Sequence, residues 1–125
     1  MRVLASLVLL LAGLRVGAAQ DLEAGIRLYE RGEFQQAVDF FLPVTRAFPD
    51  SGDLRLWLAK SYLKLQKWDD AVRELERAVR INPANGMYHL WLGRAYGRKA
   101  EHVSFVSAFG WARKTLREFA PEMFG

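Results

Sequence analysis

The sequence contains no cysteine, four prolines and only two histidines among its 125 residues. The absence of cysteine excludes a disulfide framework, a thiolate zinc site and a cysteine nucleophile. His89 and His102 have no third ligand residue at helical spacing, and no common phosphate-binding or nucleophile motif occurs. The length allows one ordinary domain. We therefore expect no enzyme active site, no metal and no cofactor.

The N-terminal residues have the pattern of an export signal. Arg2 gives a positive start, and an apolar run over residues 3–14 leads into small residues. This run is shorter than the ~20 residues that a membrane span needs. We therefore predict a signal peptide over residues 1–19, cleaved after Ala18 or after Ala19, and a protein that is periplasmic or secreted. A buried N-terminal helix and an uncleaved anchor are the alternatives.

The formal net charge of the whole chain is +4. Removal of residues 1–19 takes away Arg2 and Arg15 and no acidic residue, which lowers this charge to +2. So small a positive charge does not favour nucleic acid as a partner. After cleavage, no apolar run remains that is long enough for a stable membrane span.

Similar residues recur with a spacing of 34 along the rest of the chain. The matching pairs are Trp57 and Trp91, Leu58 and Leu92, Tyr62 and Tyr96, Ala37 and Ala71, and Pro49 and Pro83. Internal periods of this length are typical of stacked helical units, and the apolar spacing within each unit indicates two helices. We therefore predict an all-α domain over residues 20–125, with units at about 18–51, 52–85 and 86–119.

Two places depart from this pattern. Pro43 lies inside the second helix of the first unit and lacks the N–H that would bond to the Asp39 carbonyl, which predicts a kink or an interruption. In the third unit a turn is expected over residues 98–104. After it, Phe105 takes the place that alanine holds in the first two units. No polar capping helix follows, so the last helix is expected to have an exposed apolar face.

These residues resemble the tetratricopeptide repeat family, whose pattern is Trp-x2-Leu-Gly-x2-Tyr, then Ala-x3-Phe, then Pro. The second unit has Leu58-Ala59-x2-Tyr62, Ala71-x3-Leu75 and Pro83. The first tryptophan of the pattern is replaced by Asp21, Arg55 and His89 in the three units. The resemblance implies an α-solenoid of antiparallel helix pairs in a right-handed superhelix. It also implies a non-enzymatic scaffold that binds proteins or peptides.

In such an array the first helix of each unit lines a concave groove. Helical spacing places Trp57, Lys60 and Lys64 on one face, and the next unit repeats the same stripe. The candidate groove residues are Leu56, Trp57, Lys60, Lys64, Met87, Trp91, Arg94 and Arg98. Such a surface favours an acidic partner with aromatic or apolar anchors. The alternative is that the tryptophans pack between helices while the cations extend over them into water.

Another copy of the chain is the second candidate partner. In that case the chain is an assembly subunit that self-associates through its uncapped C-terminal helix. The apolar residues of that helix are Phe105, Phe109, Trp111, Leu116 and Phe119.

Overall fold

The structure, a computed structural model, describes residues 17–119. This part of the chain consists of five helices joined by short turns, and it contains no strand. They are α1, whose described part is 17–30, α2 (Phe34–Ala47), α3 (Gly52–Lys64), α4 (Trp68–Ile81) and α5 (Gly86–Phe119). The predicted all-α solenoid is confirmed. The signal peptide predicted over residues 1–19 lies almost wholly outside the described residues and stays a prediction.

Each helix packs against the next one along the chain. α2 contacts α3, α3 contacts α4, α4 contacts α5, and α3 also reaches α5. α1 joins this stack where Gly25 meets the ring of Phe41, so closely that a Cβ at position 25 would overlap the ring. The fully buried side chains include Ala37, Phe41, Leu54, Leu58, Ala59, Ala71, Leu75, Ala78 and Ala95. These are mostly the positions that recur with the period of 34, so the repeat is a repeat of core packing.

The helix α2 runs through Pro43 without interruption. Pro43 is exposed, and so is Asp39, whose carbonyl loses its helical donor. Because that carbonyl belongs to an exposed residue, water can replace the missing N–H. The interruption predicted from the sequence is therefore wrong, and the helix ends at Ala47.

Two of the turns contain a residue with positive φ. Gly32 has φ 78° between α1 and α2, and Gln66 has φ 60° between α3 and α4. These residues are 34 positions apart, so the same turn occurs twice. The third position of the series is Ala100, which lies inside α5. Alanine is the strongest helix former, which favours continuation of the helix at this position.

The turn predicted over residues 98–104 is therefore wrong. α5 is one continuous helix of 34 residues. Its first half occupies the place of a first helix in a repeat, and it is held to α4 by polar contacts. Tyr96 donates its hydroxyl to Glu76 at 2.7 Å, and Lys99 lies 2.7 Å from Asp69. The third unit thus has one long helix where the first two have a pair.

The second half of α5 leaves the body of the molecule with its apolar side chains exposed. Those large side chains are Val103, Phe105, Val106, Phe109, Trp111 and Leu116, with exposed fractions of 49–76%. The exposed apolar face expected for the last helix is thus confirmed, except at Phe119, whose side chain lies outside the described part. No described helix, α5 included, combines the length and apolar character required to cross a membrane.

Candidate functional site

An open groove lies between α1, α3 and α5, where the first helices of the repeats line up. It encloses about 720 Å³. Its aromatic lining includes Tyr29, Trp68 and Trp91, and its cations are Lys60, Lys64, Arg94 and Arg98. The structure thus brings together five of the eight residues that the sequence proposes for this surface. Their alignment follows from the period of 34, which places Lys60 and Lys64 of α3 beside Arg94 and Arg98 of α5.

Lys60 is the centre of this groove, because its ammonium is surrounded by three aromatic rings. Its Nζ lies 3.7 Å from the ring centroid of Trp57, 4.6 Å from that of Trp91 and 5.4 Å from that of Tyr29. Tyr29 and Trp57 also meet edge to face, with centroids 5.3 Å apart. A cation over such ring faces is attracted by their electron density. The rings therefore orient Lys60 towards the groove.

The two tryptophans are partly buried and pack against the core. The indole N–H of Trp91 is buried without an acceptor among the described residues. Arg94 extends over the Trp91 ring, with its guanidinium carbon 4.8 Å from the centroid. This packing agrees with the interpretation in which the tryptophans lie between helices, and the use of the groove for a ligand stays a prediction. The tryptophans pack between helices and support the cations, and the cations line the groove.

The groove carries more positive than negative charge. Partial burial lowers the pKa of Lys60 below its ordinary value, and the neighbouring charges of Arg94 and Lys64 lower this pKa further. One carboxylate lies on the lining, that of Glu101, and it pairs with Arg98 at 3.4 Å. The mutual repulsion of the cations means that a bound anion would lower the energy of this surface.

The structure does not bring Leu56 and Met87 to the groove. Trp57 is also absent from the lining, although its ring lies beside the Lys60 ammonium. Leu56 belongs to the core, with 8% of its surface exposed. It precedes Trp57 by one residue, and this step of about 100° around the helix turns it away from the groove. Met87 is 53% exposed but lies in the first turn of α5, outside the groove lining. At both positions, closeness in sequence to the groove residues did not predict a place in the groove.

Tyr29 and Trp68 are groove residues that the sequence analysis missed. Tyr29, Leu63 and Gly97 occupy the same place in the three repeats, and all three line the groove. The period therefore held a signal that could have identified Tyr29. Trp68 has an aromatic counterpart in Phe34, 34 residues earlier, and each of the two begins the second helix of its pair. The period therefore marked Trp68 as well, although its place in the groove depends on the packing of α4.

The position of the family's first tryptophan has a polar role here. Arg55 donates to the carbonyl of Pro49 at 3.2 Å, and one repeat later His89 Nε2 lies 2.6 Å from the carbonyl of Pro83. Arg55 also forms an ion pair with the buried Glu74 at 2.8 Å. These contacts tie each first helix to the turn before it, which is a structural task. Within residues 17–119, no group of three metal-ligating side chains forms a candidate metal site.

Comparison with known proteins agrees with this architecture. A family model described as tetratricopeptide repeat matches residues 28–95, more than half of the chain. Among solved structures, a mutant of MamA is similar with a TM-score of 0.61 and 19% sequence identity. The similarity covers 78% of this chain and 72% of that one, and at this identity it shows the fold alone. The family match and the paired helices lead to one conclusion, that the chain belongs to the tetratricopeptide repeat family.

Proposed function

We propose that this chain is a protein–protein interaction scaffold whose groove holds an acidic segment of a partner. Repeat arrays of this kind typically act through extended binding surfaces and do not carry out catalysis. The observation that supports the acidic preference is the crowding of Lys60, Lys64 and Arg94 in one groove. Burial lowers the pKa of Lys60, and the charges of Arg94 and Lys64 lower this pKa further. A carboxylate placed among these cations would relieve their repulsion and gain charge-assisted hydrogen bonds.

Apolar anchors of the partner would lie beside these charges. Tyr29 and Trp91, which are both half-buried, line the same groove as the cations. Because Lys60 already covers ring faces, an incoming apolar side chain would meet ring edges and the aliphatic stems of the basic residues. The proposed ligand is therefore a peptide in which acidic and apolar residues alternate, lying along α3 and α5.

Reversing the charge of Lys64 and Arg98 should weaken binding of such a peptide. A synthetic peptide of glutamate and leucine is titrated into the full chain, and tryptophan fluorescence reports its arrival beside Trp91. The variant carrying Lys64→Glu and Arg98→Glu is expected to bind about ten-fold or more weakly, a loss of at least ~1.4 kcal/mol. Neither side chain is part of the core, so circular dichroism should show an unchanged fold.

The matched control reverses the charge of two exposed arginines of α4 that lie outside the groove. Arg73→Glu with Arg80→Glu changes the net charge by the same amount, and it should leave the affinity near that of the original chain. Equal losses of affinity in both variants would show that the effect comes from net charge alone. Unchanged affinity in the groove variant would exclude the groove as the binding site.

We also propose that the chain is exported and meets its partner outside the cytoplasm. This rests on the apolar run over residues 3–14 and the small residues that follow it. Expression from the full sequence in a bacterial host should release a protein whose first residue is Ala19 or Gln20. N-terminal sequencing of the purified protein checks this, and a first residue of Met1 would contradict it.

Self-association is a second candidate function, favoured by the apolar side chains of the second half of α5. Phe105, Phe109 and Trp111 are 70%, 64% and 76% exposed, which is unusual for such large apolar groups. A second copy packed on these side chains would remove their apolar surface from water.

A further inference from the structure

A second cavity lies on the side of α3 that faces away from the groove. It has a volume of about 430 Å³ and is lined by residues of α2, α3, α4 and the turn at Pro49. Tyr62 lines this cavity whereas Lys60 lines the groove, and two residues correspond to ~200° around a helix. The described residues that line the cavity and the groove are entirely different. The cavity is therefore a separate site, and its volume falls in the ~300–1,000 Å³ range of small-molecule pockets.

The side chain of Tyr62 is buried, and its hydroxyl has no acceptor. Tyr62 is 8% exposed, and within residues 17–119 its hydroxyl forms no hydrogen bond. Burial raises the pKa of Tyr62, and the charges of Asp70 and Glu74 raise this pKa further, so the hydroxyl keeps its proton at neutral pH. Because buried polar groups in proteins usually have partners, this donor indicates a place for a ligand oxygen.

The next repeat shows which partner Tyr62 lacks. Tyr96 lies 34 positions later, and its hydroxyl donates to Glu76 of α4 at 2.7 Å. The residue 34 positions before Glu76 is Leu42 of α2, which lines the cavity. A leucine side chain cannot accept a hydrogen bond. The fold thus supplies a carboxylate to Tyr96, whereas at Tyr62 a ligand oxygen would have to take its place.

The charge of the cavity lining is positive. Four arginines and two carboxylates line the cavity, which leaves an excess of two positive charges. Both oxygens of Glu74 are already bound, one to Arg55 and the other to Arg77, each at 2.8 Å. These contacts neutralise the more buried carboxylate and hold two guanidinium groups in place. The six charged side chains are Arg46, Arg55, Arg73, Arg77, Asp70 and Glu74.

Arg46 and Arg73 are the arginines that remain for a ligand. Arg46 forms no hydrogen bond or ion pair with any described residue, and Arg73 pairs only with Asp70, at 3.5 Å. Both positive charges act to lower the pKa of Tyr62, against the larger opposing effects, so they lie near its hydroxyl. Guanidinium groups carry paired N–H donors that fit the oxygens of phosphate and carboxylate groups. The cavity thus combines one hydroxyl donor with two guanidinium groups.

We propose that this cavity binds a small molecule that carries a dianion of oxygen, either a phosphate monoester or a dicarboxylate. One ligand oxygen accepts the hydrogen bond of Tyr62, and Arg46 and Arg73 bind the others. Two negative charges balance the excess positive charge of the lining. This site is independent of the peptide groove proposed above.

Isothermal titration calorimetry of glycerol phosphate and of succinate into the full chain tests this proposal. We expect glycerol phosphate to bind more tightly, because one phosphate group offers three acceptor oxygens close together. Tyr62→Phe should weaken its binding about ten-fold, because the substitution removes a hydrogen bond to a charged group. The same variant should keep its melting temperature, because the hydroxyl has no partner among the described residues. Arg46→Gln alters an exposed residue and should also weaken binding about ten-fold.

Each of these variants has a matched control. Tyr96→Phe makes the same substitution one repeat later, where the hydroxyl bonds to Glu76, and it should leave the affinity for glycerol phosphate unchanged. Arg113→Gln removes one positive charge from an exposed position of α5 outside the cavity lining. It should likewise leave the affinity unchanged.

Reciprocal variants separate this cavity from the groove. Arg73→Glu with Arg80→Glu, the control for peptide binding, reverses a charge of the cavity lining and should weaken glycerol phosphate binding at least ten-fold. Lys64→Glu with Arg98→Glu alters only the groove and should leave that binding unchanged. A chain that binds glycerol phosphate in this way but binds no acidic peptide would overturn the proposed peptide function alone.

The remaining outcomes decide the proposal itself. Binding that weakens in Tyr62→Phe and Arg46→Gln but not in Tyr96→Phe and Arg113→Gln supports the cavity as the site. Tighter binding of succinate with the same pattern would identify the dianion as a dicarboxylate. Absence of binding of both compounds, or binding that neither Tyr62→Phe nor Arg46→Gln weakens, would overturn the proposal.

Discussion

Phe41→Ala is expected to lower the free energy of unfolding by about 3–5 kcal/mol, enough to unfold much of a small array. The ring of Phe41 is fully buried and packs directly against Gly25 of α1. Gly25 has no side chain with which to fill the cavity that alanine would leave. Urea denaturation followed by circular dichroism, at a concentration low enough to limit self-association, measures the change.

A double-mutant cycle tests whether Gly25 and Phe41 are matched in size. Gly25→Ala alone should cost about 1–3 kcal/mol, because its Cβ overlaps the Phe41 ring. Phe41→Leu alone should cost about 1 kcal/mol. Together these substitutions reproduce the pair that the second repeat uses, and the double variant should be more stable than Gly25→Ala alone. Simple additivity of the two losses would show that the pair is not coupled.

Glu74→Ala is expected to cost about 3–5 kcal/mol, because it leaves a buried arginine without its counter-charge. The Glu74 side chain is 9% exposed and accepts hydrogen bonds from Arg55 and Arg77, each at 2.8 Å. Arg55 is itself only 14% exposed, and it links α3 to α4 and to the turn at Pro49. Thermal unfolding of the variant, compared with the unchanged chain, measures the loss.

Asp70→Ala is the control for this prediction. Asp70 pairs with Arg73 at 3.5 Å on the surface of the same helix, and such exposed pairs contribute about 0–1 kcal/mol. Replacing both Arg55 and Glu74 by methionine should recover part of the loss, since no buried charge then remains unpaired. If Glu74→Ala and Asp70→Ala have equally small effects, the buried cluster does not stabilise the fold as we expect.

Much of the groove could be predicted from spacing alone, and the exceptions have a common cause. Lys60, Lys64, Arg94 and Arg98 share a helical face, which depends only on the geometry of a single helix. The aromatic rings around Lys60 come from three different helices, and their approach depends on how those helices pack. Leu56 shows the limit of reading a face by proximity, because a single residue step takes it from the groove into the core.

The sequence by itself determined the helical class, the period of 34 and the identity of most residues that meet in the core. These follow from local periodicity, which does not depend on which helix lies next to which. The tertiary structure decided whether the third unit is a helix pair or one helix. At Ala100 the local preference for helix competes with the burial of apolar side chains that a turn and a second packed helix would allow. In α5 the helix continues, and the high helix propensity of alanine favours this outcome.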